Sequence, residues 1–350
     1  MLNVDYFQNK MTPSKLCFLS PYCDVLEGYG IHVKEDYLLG IVKGVMFDYD
    51  YLHDNHVIEL PVSPTDTISI VGTNSDIYKD IQDLLGVLFY EVSIQSSDEA
   101  FSLCIDQINN DKPVIAYFDV YYLPYHPQFQ KTHAQTNLLL YGWDENKNQI
   151  LFYDGHVTTI PISTFVGTLS QSSFCKSLVW GVNRFNGRNI GMVFNDFSHK
   201  PIDINLLQII HDQAVNMLIS PKAHIGIQGM LCLTDEMSWW PKFWNPQSIL
   251  VLWRQAYHHI SGRGGPIACR AVYGDFLKNH FNDLKELLEL ANGFYEVSKK
   301  WNALGAKFFR GSIKYDLNIL EQIKQLLQDI ALMENDLFQL IESYERVCMI

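Results

Sequence analysis

Two cysteines, Cys17 and Cys23, stand close together near the start of the chain. A thiolate rather than a thiol is the nucleophile, so a reactive cysteine needs a setting that favours its ionised form. A helix N-terminus supplies exposed N–H groups and a favourable dipole, and a nearby imidazole supplies an ion pair. Ser20-Pro21 reads as a helix start, with serine as the cap and proline at the first helical position. Cys23 then falls in the first turn and Cys17 just ahead of it. Imidazoles come much later, as His126 and His133, in a polar and aromatic loop that follows an apolar strand ending at Asp119. A second apolar strand, Leu138 to Tyr141, runs into Gly142-Trp143-Asp144, and a third ends at Asp154. Antiparallel pairing sets the start of one strand beside the end of the next. The pattern therefore predicts that His133 and Asp154 meet, the imidazole as base for a thiol and the carboxylate fixing its tautomer.

The elements that must position these residues are legible as hydrophobic periodicity. Helical patterns run from Ser20 towards Gly28, over Glu35 to Val45, over Ile77 to Leu85, and over Ser97 to Asn109. Strands are expected at Val57 to Leu60, Ile68 to Val71, Val87 to Val92, the segments named above, and Val157 to Ile160. From Ile202 onward strand signal almost vanishes. Leu206, Ile209, Ile210 and Ala214 keep helical spacing, and Ile313, Leu317, Leu320, Leu327, Ile330, Leu337 and Leu340 predict one long final helix. The fold class expected is α+β, a mixed domain over residues 1–195 followed by an all-α domain over 196–350. The boundary is placed where Asn, Asp, Ser and Pro cluster.

Composition narrows the function classes. At 350 residues, two domains are the better prior. The net charge of -13 with no Lys/Arg run argues against nucleic acid as a partner and against anionic membranes. The N-terminus lacks the basic-then-apolar order of a signal peptide. No window is apolar for the length of a membrane span. Seven scattered cysteines without a CxxC pair fit reduced thiols and a cytoplasmic location, with no zinc ribbon. No cofactor is expected, and neither His53/His56 nor His258/His259 has a further ligand at metal spacing. The glycine-rich run Ser261 to Pro266 follows no strand and lacks Gly-Lys-Ser/Thr, so it is not a phosphate loop. It reads as a helix–helix corner, or as a substrate-facing loop in which Arg263 or Arg270 binds an anion. Trp239, Trp240, Trp244 and Trp253 read as packing, with acyl-chain lining the sharper alternative.

An ordered set of residues resembles the family named for the N-terminal domain of butirosin biosynthesis protein H, a branch of the papain-like, bacteriocin-peptidase type. The set runs from Cys17 and Gly30 through Glu35 to Gly40, Gly44 to Phe47, Pro113 to Ile115 with Asp119, and Leu123 to His126. It continues with His133, Tyr141 to Asp144 and Asp154. The later Gly264-Gly265, Arg270, Tyr273 and Phe276-Leu277 are similar to the helical domain that usually follows in that family. The resemblance implies a papain-like domain with an antiparallel sheet. It also implies an N-acyltransferase of specialised metabolism that takes an acyl group from a carrier-protein thioester and passes it to a small amine. The expected site is Cys17, His133 and Asp154. Spacing from Gly30 favours Cys17 as nucleophile, while helix capping slightly favours Cys23; Cys17 is chosen. Gln8 is a weak oxyanion candidate. The helical domain is expected to cover the site or dock the carrier, and its long helix makes a homodimer plausible.

One departure stands out. Related peptidases carry their histidine six residues before the glycine of the Gly-x-Asp turn, and that position is Thr136 here, with Asn137 beside it. Either His133 swings in, or His126 serves, or the base is missing. A peptidase or thioesterase on the same fold, and a silent binding protein of a biosynthetic assembly, are the competing expectations.

Overall fold

A computed structural model of the chain describes residues 13–50, 69–71, 77–92, 94–131, 133, 135–157, 159, 163–178, 191–197, 203–220, 222–262 and 265–348. In chain order the elements begin with α1 (Ser20–Gly28), α2 (Glu35–Ile41), the short strands β1 (Asp48–Asp50) and β2 (Ser69–Val71), and α3 (Ile77–Leu85). Then come β3 (Val87–Val92), α4 (Ser97–Asn109), β4 (Val114–Asp119), β5 (Gln135–Asp144), β6 (Gln149–Val157), β7 (Ser163–Ser170), α5 (Gln171–Ser177) and β8 (Met192–Phe197). Seven helices follow: α6 (Leu206–Leu218), α7 (Gly226–Met237), α8 (Trp240–Phe243), α9 (Pro246–Ser261), α10 (Pro266–His280), α11 (Lys285–Gly311) and α12 (Leu317–Cys348). The architecture is the expected α+β part followed by helices. Among the described residues, none of these helices is long and apolar enough to cross a membrane.

The described residues form two compact units. One holds those up to Glu35 and from Tyr78 to Asp203; the other holds Asp36 to Ile77 and everything from Ile204. The division expected from sequence is a single one, at 195/196. The expected strand at Val57 to Leu60, together with His53, His56, Gln8, Arg263 and Gly264, lies outside the described residues.

In the first unit the sheet is six-stranded and antiparallel, in the order β3-β8-β4-β5-β6-β7. Alternate residues of a strand face opposite sides. Val114, Ala116 and Phe118 of β4, Leu138 and Leu140 of β5, and Ile150 and Phe152 of β6 pack with Ala100, Phe101, Cys104 and Ile108 of α4 and Phe174 of α5. Helix α4 is set by its own capping, since Ser96 Oγ accepts from the Glu99 N–H at 3.1 Å and Glu99 accepts from the Gln95 N–H at 2.7 Å. The β5–β6 turn is equally local. The Lys147 N–H donates to Asp144 at 3.1 Å, and Asn148 takes φ 54, a left-handed geometry that asparagine tolerates. The other face of the sheet receives α1. A Cβ on Gly155 would lie 2.9 Å from Ser20 Oγ, so glycine there admits the helix.

The helical unit is organised around buried polar groups. Gln213 of α6 accepts from the Val45 N–H at 3.0 Å and donates to the Val45 carbonyl. Arg270 of α10 is fully buried, donates to both oxygens of Glu334 at 2.9 and 2.8 Å, and caps the Met46 carbonyl at 2.7 Å. A buried, paired guanidinium is not an anion receptor, so the reading of Arg270 as a substrate ligand is corrected. Helix α9 ends at Ser261 and α10 begins at Pro266, so the glycine-rich run falls between two helices. Trp253 and Trp240 are buried whereas Trp239 is 51% exposed. The final helix begins at Leu317; Ile313 lies in the turn before it and is 70% exposed.

Candidate active site

Cys17 sits in the turn that leads into α1, partly exposed and in no disulfide. The helix cap is Leu19, which makes no side-chain cap bond, and Ser20 turns its hydroxyl to Asp24 instead. The serine capping read from the sequence is therefore corrected. Cys23 is one turn further in and only 6% exposed. A thiol so enclosed cannot meet a reagent without local opening, whereas Cys17 is partly exposed.

His133 stands just before β5, with its side chain 55% exposed. Its Nδ1 lies 2.7 Å from Asp119 Oδ2, and its ring stacks on Tyr121 at 4.2 Å and 16°. Asp119 is buried, and its other oxygen accepts from the Tyr121 N–H at 3.0 Å. The carboxylate is therefore fixed by the turn it caps, and it in turn holds the imidazole. Register explains the meeting, because Asp119 pairs with Gln135, two residues beyond His133.

The expected His133–Asp154 pair is not formed. Asp154 follows Phe152 on the α4 face of the sheet and is completely buried. Its oxygens accept from Tyr125 Oη at 2.8 Å and from the His156 N–H at 2.8 Å. Tyr125 itself stacks on Phe165 at 4.2 Å. Burial pushes the Asp154 carboxyl up to about 6, against the smaller opposing pull of those two hydrogen bonds. His126 is held within its own turn: it is buried, and its Nδ1 accepts from the Gln128 N–H at 3.2 Å. Burial lowers its affinity for a proton, so it stays neutral in its turn.

Asp154 gives a pH prediction with a definite sign. Its folded value lies above the ordinary carboxylate value, so the folded protein holds this proton more tightly. The stability it contributes is fully present below pH ~4 and is lost as pH rises through about 6. A shift of that size corresponds to about 2–3 kcal/mol. Asp154→Asn, which cannot ionise, should gain stability relative to wild type as pH rises from 4 to 7, measured by urea unfolding of the sheet unit. A constant difference across that range would show that Asp154 is not ionising against its burial.

The strand residue that touches the Cys17 turn is Asn137. Its Nδ2 donates to the Cys17 carbonyl at 3.0 Å. Asn137 alternates with Leu138 and so faces α1, whereas Thr136, the position expected to carry a base, faces the α4 side with Leu138 and Leu140. Asn137 pairs across the ladder with Tyr117, and Asp119 follows Tyr117 on the same face. Cys17, Asn137 and the Asp119–His133 pair thus belong to one side of the sheet. The contacts of Asn137 and Asp119 are not among the expectations from sequence, although strand parity carries the signal for both.

Residues 17–155 match the family model described as Butirosin biosynthesis protein H, N-terminal. Residues 189–341 match the model described as Domain of unknown function (DUF4872). No curated protein matches the chain.

Proposed function

Because residues 17–155 match the model of the butirosin biosynthesis protein H N-terminal domain and residues 189–341 match the DUF4872 model, we propose that the chain is a cysteine-dependent N-acyltransferase of specialised metabolism. The donor is an acyl thioester on a carrier protein and the acceptor a small amine. The family is named for a protein of a biosynthetic pathway, and the observation that carries the chemical reading is the buried Asp119 holding His133 on the face of the sheet that bears Cys17.

In this reading the Cys17 thiolate attacks the thioester carbonyl carbon. The new C–S bond forms, the bond to the carrier sulfur breaks, and the carrier thiol leaves with a proton from the His133 imidazolium. The amine then attacks the acyl-enzyme and gives its proton to His133 Nε2. The amide leaves and the Cys17 thiolate is regenerated. Asp119 keeps the proton on Nδ1, so that Nε2 is the basic nitrogen throughout.

Intact-mass spectrometry after incubation with acetyl, butyryl and octanoyl thioesters of N-acetylcysteamine tests the proposal, followed by peptide mapping. The expected result is a single acyl group on Cys17, discharged by added amine faster than by water. Discharge by water alone would make the protein a hydrolase on the same fold. One observation favours a binding protein instead: the strand side chain that bonds the Cys17 carbonyl is a carboxamide and not an imidazole. That reading requires that no thioester in the series acylates any cysteine.

A further inference from the structure

The backbone around Cys17 is held by groups distant in sequence. The Ser14 N–H donates to the Gly155 carbonyl at 3.0 Å. The Lys15 and Leu16 N–H groups donate to the two carboxylate oxygens of Glu35, at 2.7 and 3.1 Å. The Leu16 carbonyl accepts from the Leu19 and Ser20 N–H groups at 3.1 and 3.0 Å. The Cys17 carbonyl accepts from Asn137 at 3.0 Å. Peptide units are planar and trans. Fixing the Leu16 and Cys17 carbonyls therefore fixes both peptide planes that flank Cys17, and with them the direction of its Cα–Cβ bond.

A turn can close on its own i to i+3 bond. This one is tied in addition to a strand on one side and to a carboxylate on the other. We propose that Asn137 is a positioning residue for the Cys17 thiol, acting through the Cys17 carbonyl, with Glu35 as the opposing anchor of the same turn. The catalytic meaning of this inference rests on the acyl-enzyme reading above. Without the Asn137 donor, the Cys17 carbonyl turns to find another partner and the Cys17–Phe18 peptide rotates with it. The thiol then loses the placement that this turn gives it, just ahead of the N-terminus of α1, the end of a helix at which a thiolate is favoured. The neutral carboxamide adds no charge of its own, so its removal reports geometry alone.

The test is alkylation with iodoacetamide over a pH series, read separately at each cysteine by peptide mapping. Cys175 and Cys232 are partly exposed and serve as internal references, and buried Cys23 reports loosening of α1. In Asn137→Ala, Cys17 alkylation at pH 7 should slow by about ten- to a hundredfold, with its pH profile displaced and the other three sites unchanged. Asn137→Thr suits a strand but is too short to donate to the carbonyl, and it should behave alike if the alanine variant folds poorly. Unchanged or faster alkylation of Cys17 in both variants, with Cys23 also exposed, would reduce Asn137 to a structural tie and overturn the proposal. The outcome is independent of the thioester experiment: a wild-type protein that alkylates as expected but takes no acyl group refutes the transferase reading and leaves the positioning intact.

Discussion

Replacing Asp119 by asparagine should slow acylation of Cys17 by about 10³–10⁴-fold, while Asp154→Asn stays near the wild-type rate. In wild type, Asp119 Oδ2 accepts from His133 Nδ1 at 2.7 Å and its other oxygen accepts from the Tyr121 N–H at 3.0 Å. An asparagine keeps the second bond, since its carbonyl oxygen caps a turn as well as a carboxylate oxygen does. Its NH₂ group then points at His133 and can only donate. The imidazole is forced to accept at Nδ1 and to carry its proton on Nε2, the nitrogen that serves as base in the proposed reaction. The fold survives and the tautomer is wrong. Asp154 is bound to Tyr125 and His156 and touches neither ring nitrogen of His133. Single-turnover acylation by a butyryl thioester, followed by quenched intact-mass measurement, reads both variants. A large loss in Asp154→Asn with none in Asp119→Asn would return the orienting role to Asp154.

The difference between those two aspartates also shows what the sequence could and could not yield. Asp119 ends β4, Asp154 lies three residues short of the end of β6, and both strands pair with β5. The expectation for Asp154 rests on hairpin proximity and on the family resemblance. Parity decides otherwise: Asp154 follows Ile150 and Phe152 into the α4 core, and Asp119 follows Tyr117 onto the α1 face. Strands β4, β5 and β6 were legible because their apolar runs are bounded by turn residues. Strand β7 was not, since Ser163–Ser170 is rich in serine, threonine and glycine and leaves Phe165 and Val166 exposed on an edge. Strand β8 hid behind a polar interior, with buried Asn195 donating to the Pro113 carbonyl. Nothing local could announce that Glu35 holds the Lys15 and Leu16 amides, because that contact exists only after α2 is placed. Nor does periodicity reveal that residues after Asp36 join the helical unit. Their tie is Gln213 reaching Val45 and Arg270 reaching Met46, both long-range polar contacts.

The helical unit should be most sensitive at that same arginine. Arg270→Met or Glu334→Leu, made singly, is expected to destabilise it by about 3–5 kcal/mol. Both side chains are fully buried, and the ion pair at 2.8 Å is bidentate. Removing either partner strands an uncompensated charge in a dry interior, and that cost exceeds the lost attraction. Glu334 is the more consequential of the two. Its Oε1 also accepts from the Trp301 indole N–H at 2.7 Å, and Trp301 stacks with Phe47 at 5.9 Å. Glu334→Leu therefore leaves a buried indole donor as well as a guanidinium unsatisfied, each a further penalty. Arg270→Met spares the indole but frees the Met46 carbonyl. The double substitution removes both charges and refills the volume with apolar groups, so it should recover the part of the loss due to the stranded charge, while the indole N–H and the Met46 carbonyl stay unpaired. Urea unfolding followed by tryptophan fluorescence measures all three. Singles that match wild type, or a double variant no better than the worse single, would show that the pair is not a desolvated unit and that the helices are held by their apolar faces alone.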